Sequence, residues 1–365
     1  MIWFTWRQHR VEILVSGIIL LVIAAILVGT GLHIAAFAQH IGRTDCSTAR
    51  CVDAQNILNN YIETAFGGPT FYALFQLMLL ALPLLIGMFI GAGVVARELE
   101  QGTYRLVWTQ SISWARWLLS KIGMLLLFVL CTTSLLYALF SWWKVPVLTA
   151  TVATPGGSLW YFMNYDIWSF VVIAYTLFAL ALGICAGAIV RRTVPAIAIT
   201  LVIFVGLRIL IEVVWRPYFL PPVAVSFPLL NAYNYNPPAQ SLLISSYYTD
   251  RQGNRLDPYA FCMPKSSQKS SGTTSSNIVQ MSMTLPPNHT HTLSGGPSTP
   301  QEQAQQRAYE QCLTSHGFQQ VWVVQPASRF WLFQGIESAI YLFLSVISLA
   351  LTFWWIKHRI IGMTR

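Results

Sequence analysis

The chain has 365 residues, 55% of them hydrophobic and only 10% charged, with a mean hydropathy of +0.54. Such a composition leaves too few polar residues to cover a water-soluble domain of this size, so most of the chain belongs in a bilayer. The net charge of +9 does not call for a nucleic-acid partner, because half of the basic residues fall where membrane topology requires them.

A membrane-crossing helix needs about 20 apolar residues rising 1.5 Å each. Six stretches qualify: 11–37, 70–96, 122–143, 166–190, 194–215 and 331–356. Ahead of the first, Trp3, Phe4 and Trp6 stand among Arg7, His9 and Arg10. This mixture either lies flat on the inner leaflet or simply anchors the span. The first apolar stretch is too long for a cleaved signal peptide and reads as an uncleaved anchor. Segment 38–69 is an external loop with a short helix over 52–66, stopped by Gly67, Gly68 and Pro69.

Pro83 removes a backbone hydrogen bond from the second span, which predicts a kink. Gly87, Gly91 and Gly93 give that span a small-residue face, and Gly183 and Gly187 do the same for the fourth. Between the second and third spans lies a charged, amphipathic island, 97–121. Glu98 and Glu100 leave the second span. Gly102 and Thr103 can end it and cap a new short helix carrying Tyr104, Val107 and Trp108 on one face.

Arg208 and Glu212 are four residues apart in the fifth span and so share one helical face. Charges there cost about 2.5–3.5 kcal/mol each at the bilayer centre on insertion scales and usually face protein or water. They read either as a polar lining of a translocation path or outer gate, or as an ion pair snorkelling to the outer interface. Glu337 in the sixth span is similar but nearer the boundary.

The outer segment 216–330 is heterogeneous. Positions 217–236 are rich in Pro and aromatics and suit the outer leaflet; 265–306 are dominated by Ser, Thr, Pro, Gln and Gly. A helical pattern covers 301–316, and 320–324 read as a short strand. His289 and His291 have no third ligand nearby, so no metal site is expected.

Lys and Arg give the orientation. Segments 1–10, 96–121, 191–193 and 357–365 hold 11 Lys/Arg in 48 residues, against three in the 54 residues of 38–69 and 144–165. Both termini and the island are therefore expected in the cytoplasm. Cys46, Cys51, Cys262 and Cys312 all fall outside, where an oxidising compartment favours disulfides. Of the three possible pairings, Cys46–Cys51 with Cys262–Cys312 is the most economical.

The sequence has no G-x-x-x-x-G-K-[ST] phosphate loop, no H-E-x-x-H, no G-x-S-x-G and no acidic pair inside a span, so no catalytic residues are expected. The run Glu98-Leu99-Glu100-Gln101-Gly102-Thr103-Tyr104-Arg105-Leu106-Val107-Trp108-Thr109, ending at Lys121, resembles the coupling segment of ABC-2-type transporter permeases. Arg208, Glu212, Arg216 and Pro217, and the run from Gln325 to Trp331, look like those of actinobacterial-style members.

The resemblance implies an all-α membrane protein. Spans one to five lie in 1–215 with a coupling helix at 98–110, an extracytoplasmic segment covers 216–330, and the sixth span and a cytoplasmic tail cover 331–365. It implies that Glu98, Glu100, Gly102, Thr103, Tyr104, Arg105, Val107 and Trp108 couple to a separate cytosolic ATP-binding cassette subunit. That subunit would hold ATP and Mg, and this chain would carry no cofactor. It further implies an exporter in the bacterial cytoplasmic membrane, paired with a second permease as a homodimer or heterodimer. Apolar walls suit a hydrophobic or amphipathic substrate. A membrane-bound sensor or scaffold with a disulfide-tied outer region is the alternative, and a lipid-active enzyme would need a catalytic cluster that is absent from the sequence.

Overall fold

The structure, a computed structural model, describes residues 2–41, 67–101, 114–150, 170–229, 241–262 and 300–361, with Ile57, Asn60, Tyr61, Glu63, Thr64, Trp160, Tyr165 and Asp166. Among them, six helices are long and apolar enough to cross a membrane: Gly17–Ala36, Ala73–Gln101, Ala115–Trp143, Val171–Val190, Thr193–Tyr218 and Ala327–His358. Two compact units emerge. One contains the spans; the other comprises Val223–Pro237 and Leu243–Val324.

Helix α1 (Ile2–Ile41) runs without a break from the aromatic and basic N-terminus through the first span. The opening residues are thus its first turns, not a separate interfacial helix. The second span begins after Gly67 and Gly68, both at positive φ, whose N–H groups close on the carbonyls of Thr64 and Glu63. Pro69 follows in the first turn of α2 (Pro69–Leu85), where its missing N–H costs nothing. Beyond Pro83 the ladder widens into a π segment, Ile86–Gly91, before α3 (Ala92–Gln101) restores α geometry. The ladder disturbed at Pro83, where a kink is expected, is thus followed by a wide turn, a common companion of such a disturbance.

Helix α4 (Trp114–Ala150) carries the third span and begins eight residues before position 122, the start expected from hydropathy. It packs on α1 through Ile23, Leu27, Ile34, Phe140 and Trp143. The Trp143 Nε1–H donates to Thr30 Oγ1 at 3.0 Å, and Thr30 in turn donates to the Ile26 carbonyl at 2.7 Å.

The fourth span, α5 (Val171–Val190), is the centre of the molecule. Its apolar window is 78% buried, against 17% to 39% for the other spans. It meets the second span backbone to backbone at the glycines. A Cβ on Gly183 would lie 2.1 Å from the Gly87 carbonyl oxygen, and one on Gly91 would lie 2.7 Å from that of Leu180. The two small-residue faces are thus partners, as close-packed membrane helices require. The sixth span, α9 (Phe330–Trp355), buries a polar stripe of Gln334, Glu337, Ser338, Tyr341, Ser345, Ser348 and Thr352. Ser345, Ser348 and Thr352 donate to carbonyls four residues back, so their hydroxyls are satisfied within the helix.

The fourth and fifth spans are joined by Arg191 and Arg192 alone. Arg191 takes the left-handed conformation (φ 58°) that ends α5, and Arg192 is extended and starts α6 (Thr193–Ile209). After α6 a second π segment, Leu210–Trp215, leads into a short 3-10 turn, Arg216–Tyr218.

The other unit departs from a purely helical fold. Strands β1 (Val223–Pro228), β2 (Leu242–Thr249) and β3 (Gln319–Gln325) form a sheet of order β1-β3-β2. β1 and β3 are antiparallel, with Val223 opposite Val324 and Pro228 opposite Gln319. The expected strand at 320–324 is present. Residues 223–228, within the Pro- and aromatic-rich stretch, pair with it as a strand, their β-branched and aromatic residues favouring the pleated surface. Two short helices, α7 (Pro258–Cys262) and α8 (Pro300–His316), are joined by the Cys262–Cys312 disulfide, with Cα atoms 5.7 Å apart. Cys46, Cys51, His289 and His291 lie outside the described residues.

A turn at Asp250 closes the end of β2. Its carboxylate accepts the Asn254 side-chain amide at 3.0 Å and the N–H groups of Gln252 and Asn254 at 2.9 and 2.8 Å. The Asn254 side chain, with the backbone donors, lowers the pKa of this acid. A depressed carboxylate contributes stability that is fully present above the ordinary aspartate value of about 3.9 and is lost as pH falls through the lower folded value. Amide-exchange protection at Gln252 and Asn254 is therefore expected to hold at neutral pH and to fall below about pH 4.

Candidate functional site

Two polar constructions stand at opposite ends of the span bundle. At the basic end, the last turns of the second span carry Glu98 and Glu100. Glu98 forms an ion pair with Lys121, whose ammonium also donates to the Val94 carbonyl at 3.2 Å and lies 5.6 Å from the centre of the Trp117 ring. Lys121 is buried (3% exposed), so its charge is matched inside the protein and not by solvent. Val94 and Glu98 are one helical turn apart and present carbonyl and carboxylate to the same ammonium.

Glu100 reaches the start of the fifth span. Its Oε2 accepts the Thr193 N–H at 3.2 Å and the Thr193 hydroxyl at 3.0 Å. Arg192, at the N-cap position of α6, makes no side-chain cap. The carboxylate from another span does that work, complementing the positive end of the helix dipole. Both acids that the sequence placed in the coupling group are thus used within this chain. Gly102, Thr103, Tyr104, Arg105, Val107 and Trp108 lie outside the described residues. The contacts of Glu98 and Glu100 nonetheless show where the second span is attached: to the third and to the fifth.

At the opposite end, Asp166, Arg208, Arg216 and Glu337 form a buried lattice. Arg216 donates from Nε to Glu337 Oε2 at 3.1 Å and from Nη2 to Glu337 Oε1 and Asp166 Oδ1, each at 3.2 Å. Arg208 pairs with Asp166 and, at 3.1 Å, with Glu337, while its Nη1 also reaches the Tyr341 hydroxyl at 3.4 Å. Each guanidinium lies over a ring, Arg216 over Tyr165 at 3.9 Å and Arg208 over Tyr175 at 4.5 Å. Planar, multiply donating arginines suit such a lattice, because each can serve two carboxylates and an aromatic face together. Burial, and next the negative charge of Glu337, push the Tyr165 phenol well above its usual pKa, so it remains neutral. Trp160 packs edge-on against Phe330 and Phe333 beside this lattice.

The geometry corrects the reading of Arg208 and Glu212 as a pair on one face. Glu212 is 3.7 Å from Arg216, partly exposed, and outside the buried lattice; Arg208 turns to Asp166 and Glu337. In an α-helix, eight residues leave Arg208 and Arg216 about 80° apart around the axis. Widening the turns over Leu210–Trp215 brings them to one side, where both meet the same two acids. Arg208 is also drawn into the helix packing, with a side chain 12% exposed, and does not snorkel.

Asp166, Arg216 and Glu337 were absent from the sequence-derived site. The available signal was balance: two arginines at the end of the fifth span require acids at matching depth. Asp166 just before the fourth span and Glu337 near the start of the sixth are those acids. Just past the lattice, Gln325 donates to the carbonyls of Pro217 and Leu220 at 3.1 and 2.7 Å, and Arg329 to that of Pro221 at 2.7 Å. The arginine-rich end of the fifth span and the Gln325–Trp331 run therefore meet in space.

With this architecture in view, residues 17–216 match the family model described as ABC-2 membrane transporter related, which covers more than half of the 365-residue chain. The chain belongs to that family. No curated protein and no solved structure matches it. The permease is a multi-pass membrane component of an ABC transporter, a class that works with an ATP-binding cassette subunit. The matched stretch takes in Asp166, Arg208 and Arg216 of the permease but stops short of Glu337.

Proposed function

We propose that this permease is the membrane half of an ATP-driven exporter in a bacterial cytoplasmic membrane, with both termini and segment 98–110 in the cytoplasm. A separate subunit binds ATP with Mg and docks on that segment. Two permeases, alike or different, enclose the path, and the substrate is hydrophobic or amphipathic. ATP binding and product release shift the population between two arrangements of the spans.

The observation that supports this reading is the attachment of the second span. The segment that would receive the ATPase starts from a helix whose Glu98 holds Lys121 and whose Glu100 holds Thr193. The same helix is interlocked with the central fourth span through Gly87, Gly91, Gly183 and Gly187. A displacement that reaches Glu98 and Glu100 is therefore delivered to the third, fourth and fifth spans by direct contact. Arg208 serves this machine at the far end as part of an inter-span fastening, and Glu212 stands at its partly exposed margin, where an outer gate would open.

Co-purification with a candidate ATP-binding cassette subunit tests the proposal. Gly102→Pro, within the docking segment, is expected to weaken capture about tenfold or more. Glu98→Ala should retain capture, because its carboxylate is spent on Lys121, but lose permease-dependent stimulation of ATP hydrolysis. Native-like behaviour of both variants, or labelling of 98–110 from outside the cell, overturns the reading.

A further inference from the structure

Four carboxylates fall within the membrane-crossing windows of the described residues: Glu98, Glu100, Glu212 and Glu337. Three of them are satisfied inside the chain. Glu98 pairs with Lys121, Glu100 accepts from Thr193, and Glu337 is shared by Arg208 and Arg216. Glu212 differs. Among the described residues it accepts no hydrogen bond, and the one cation within ion-pair reach, Arg216 Nη1, stands 3.7 Å away. Arg216 is not free to close that gap, because its Nε and Nη2 are held by Glu337 and Asp166.

The charges around Glu212 do not balance. Three carboxylates (Asp166, Glu212 and Glu337) stand against two guanidinium groups (Arg208 and Arg216), which leaves one negative charge over. It resides on Glu212, whose side chain is 26% exposed, against 1% for Asp166 and 0% for Glu337. The residues that follow it, Val213, Val214 and Trp215, are all exposed, as is Ile209 three positions before it. Water can hydrate a carboxylate at such an edge but cannot cancel its charge, and a charge left uncancelled in a span is costly. An inorganic cation would cancel the charge and gain nothing from the apolar residues. An organic cation with an apolar body gains from both, and the indole face of Trp215 itself attracts cations.

We propose that Glu212 is the recognition group of a binding site for amphiphilic organic cations at this end of the fifth span. The ammonium or phosphonium pairs with the free carboxylate, and the apolar body lies against the exposed residues beside it. Asp166, Arg208, Arg216 and Glu337 keep their own partners, so occupancy does not unfasten the spans. The inference rests on the exporter reading for one point, that the bound cation is cargo. It narrows that cargo from hydrophobic or amphipathic to cationic and amphipathic.

The test is equilibrium dialysis of radiolabelled tetraphenylphosphonium against the full chain in dodecyl maltoside, an uncharged detergent, at neutral pH and without an ATPase subunit. Saturable binding is expected. Tetraphenylborate, close in size and shape but opposite in charge, should not compete. Glu212→Gln removes the charge and keeps the shape, and should weaken binding about tenfold or more, the loss of one ion pair at a partly wet site. Glu212→Asp keeps the charge and should bind more tightly than Glu212→Gln, which separates the site from any effect on folding. Binding unchanged in Glu212→Gln, or competition by tetraphenylborate as strong as by unlabelled tetraphenylphosphonium, overturns the proposal, since the carboxylate is then merely hydrated. Displacement of the probe by phosphatidylethanolamine, whose headgroup is also an ammonium, overturns the assignment to cargo in favour of a resident lipid. Absence of binding while Gly102→Pro still weakens capture of the ATPase subunit overturns this site and leaves the exporter reading standing.

Discussion

Glu337→Ala is expected to cost about 3–5 kcal/mol of stability, the usual penalty for removing one partner from a buried ionic group. Glu337 is fully buried and holds both Arg208 and Arg216, so its loss leaves two guanidinium groups sharing Asp166 as their one buried carboxylate. Thermal or denaturant unfolding in detergent should register the change as a large fall in midpoint. Glu212→Ala is the matched control. Glu212 lies 3.7 Å from Arg216 and is partly exposed, so its removal should cost less than about 1 kcal/mol. Equal effects of the two substitutions would mean that the lattice is not the fastening described here. Joint replacement of Arg208 and Glu337 by Met should recover much of the loss, because an apolar substitute for a buried pair leaves no stranded charge.

Gly183→Ala is the second large effect, and its sign separates two kinds of glycine in one protein. A single added methyl would stand 2.1 Å from the Gly87 carbonyl oxygen and 2.8 Å from the Ala92 nitrogen. Both obstacles are backbone, so no rotamer change relieves them and the helices must part. The cost should reach or exceed the upper end of the about 1–3 kcal/mol typical of overpacking. Around Gly123 and Gly206 nothing lies within 4 Å of an added Cβ. There, Gly→Ala should be neutral or stabilise by up to about 1 kcal/mol through helix propensity. Surface expression and detergent melting of the three single variants provide the comparison.

The six spans were legible because a membrane helix is specified locally, by some 20 consecutive apolar residues. The Pro83 bend and the glycine faces were legible for similar reasons, since each follows from one residue's covalent structure. Partnership was less accessible. Glycine spacing marks a face but does not name the opposite helix, and the four-residue spacing of Arg208 and Glu212 does not reveal that Arg208 pairs with Asp166 and Glu337 instead. Glu337 lies 129 residues from Arg208 and 121 from Arg216, while Asp166 lies 50 from Arg216. Such pairings are chosen by how spans assemble, and no window along the chain contains both members. Glu100 presents the same case, since its use as the cap of a helix 93 residues away depends on the two-residue turn at Arg191 and Arg192.

The fifth span combines secured ends with a middle that is covered on one side only. Its first residue, Thr193, is held by Glu100, and its far end is held through Arg208 and Arg216, yet only 17% of its apolar window is buried. A beam clamped at both supports cannot slide along its length or swing about one end. Between the supports, Thr200 and Phe204 are buried while Val202 and Val205, on the other side, are 70% and 38% exposed. On the coupling proposed above, the curvature of that stretch, and not the distance between its ends, is the quantity expected to change with the state of the permease.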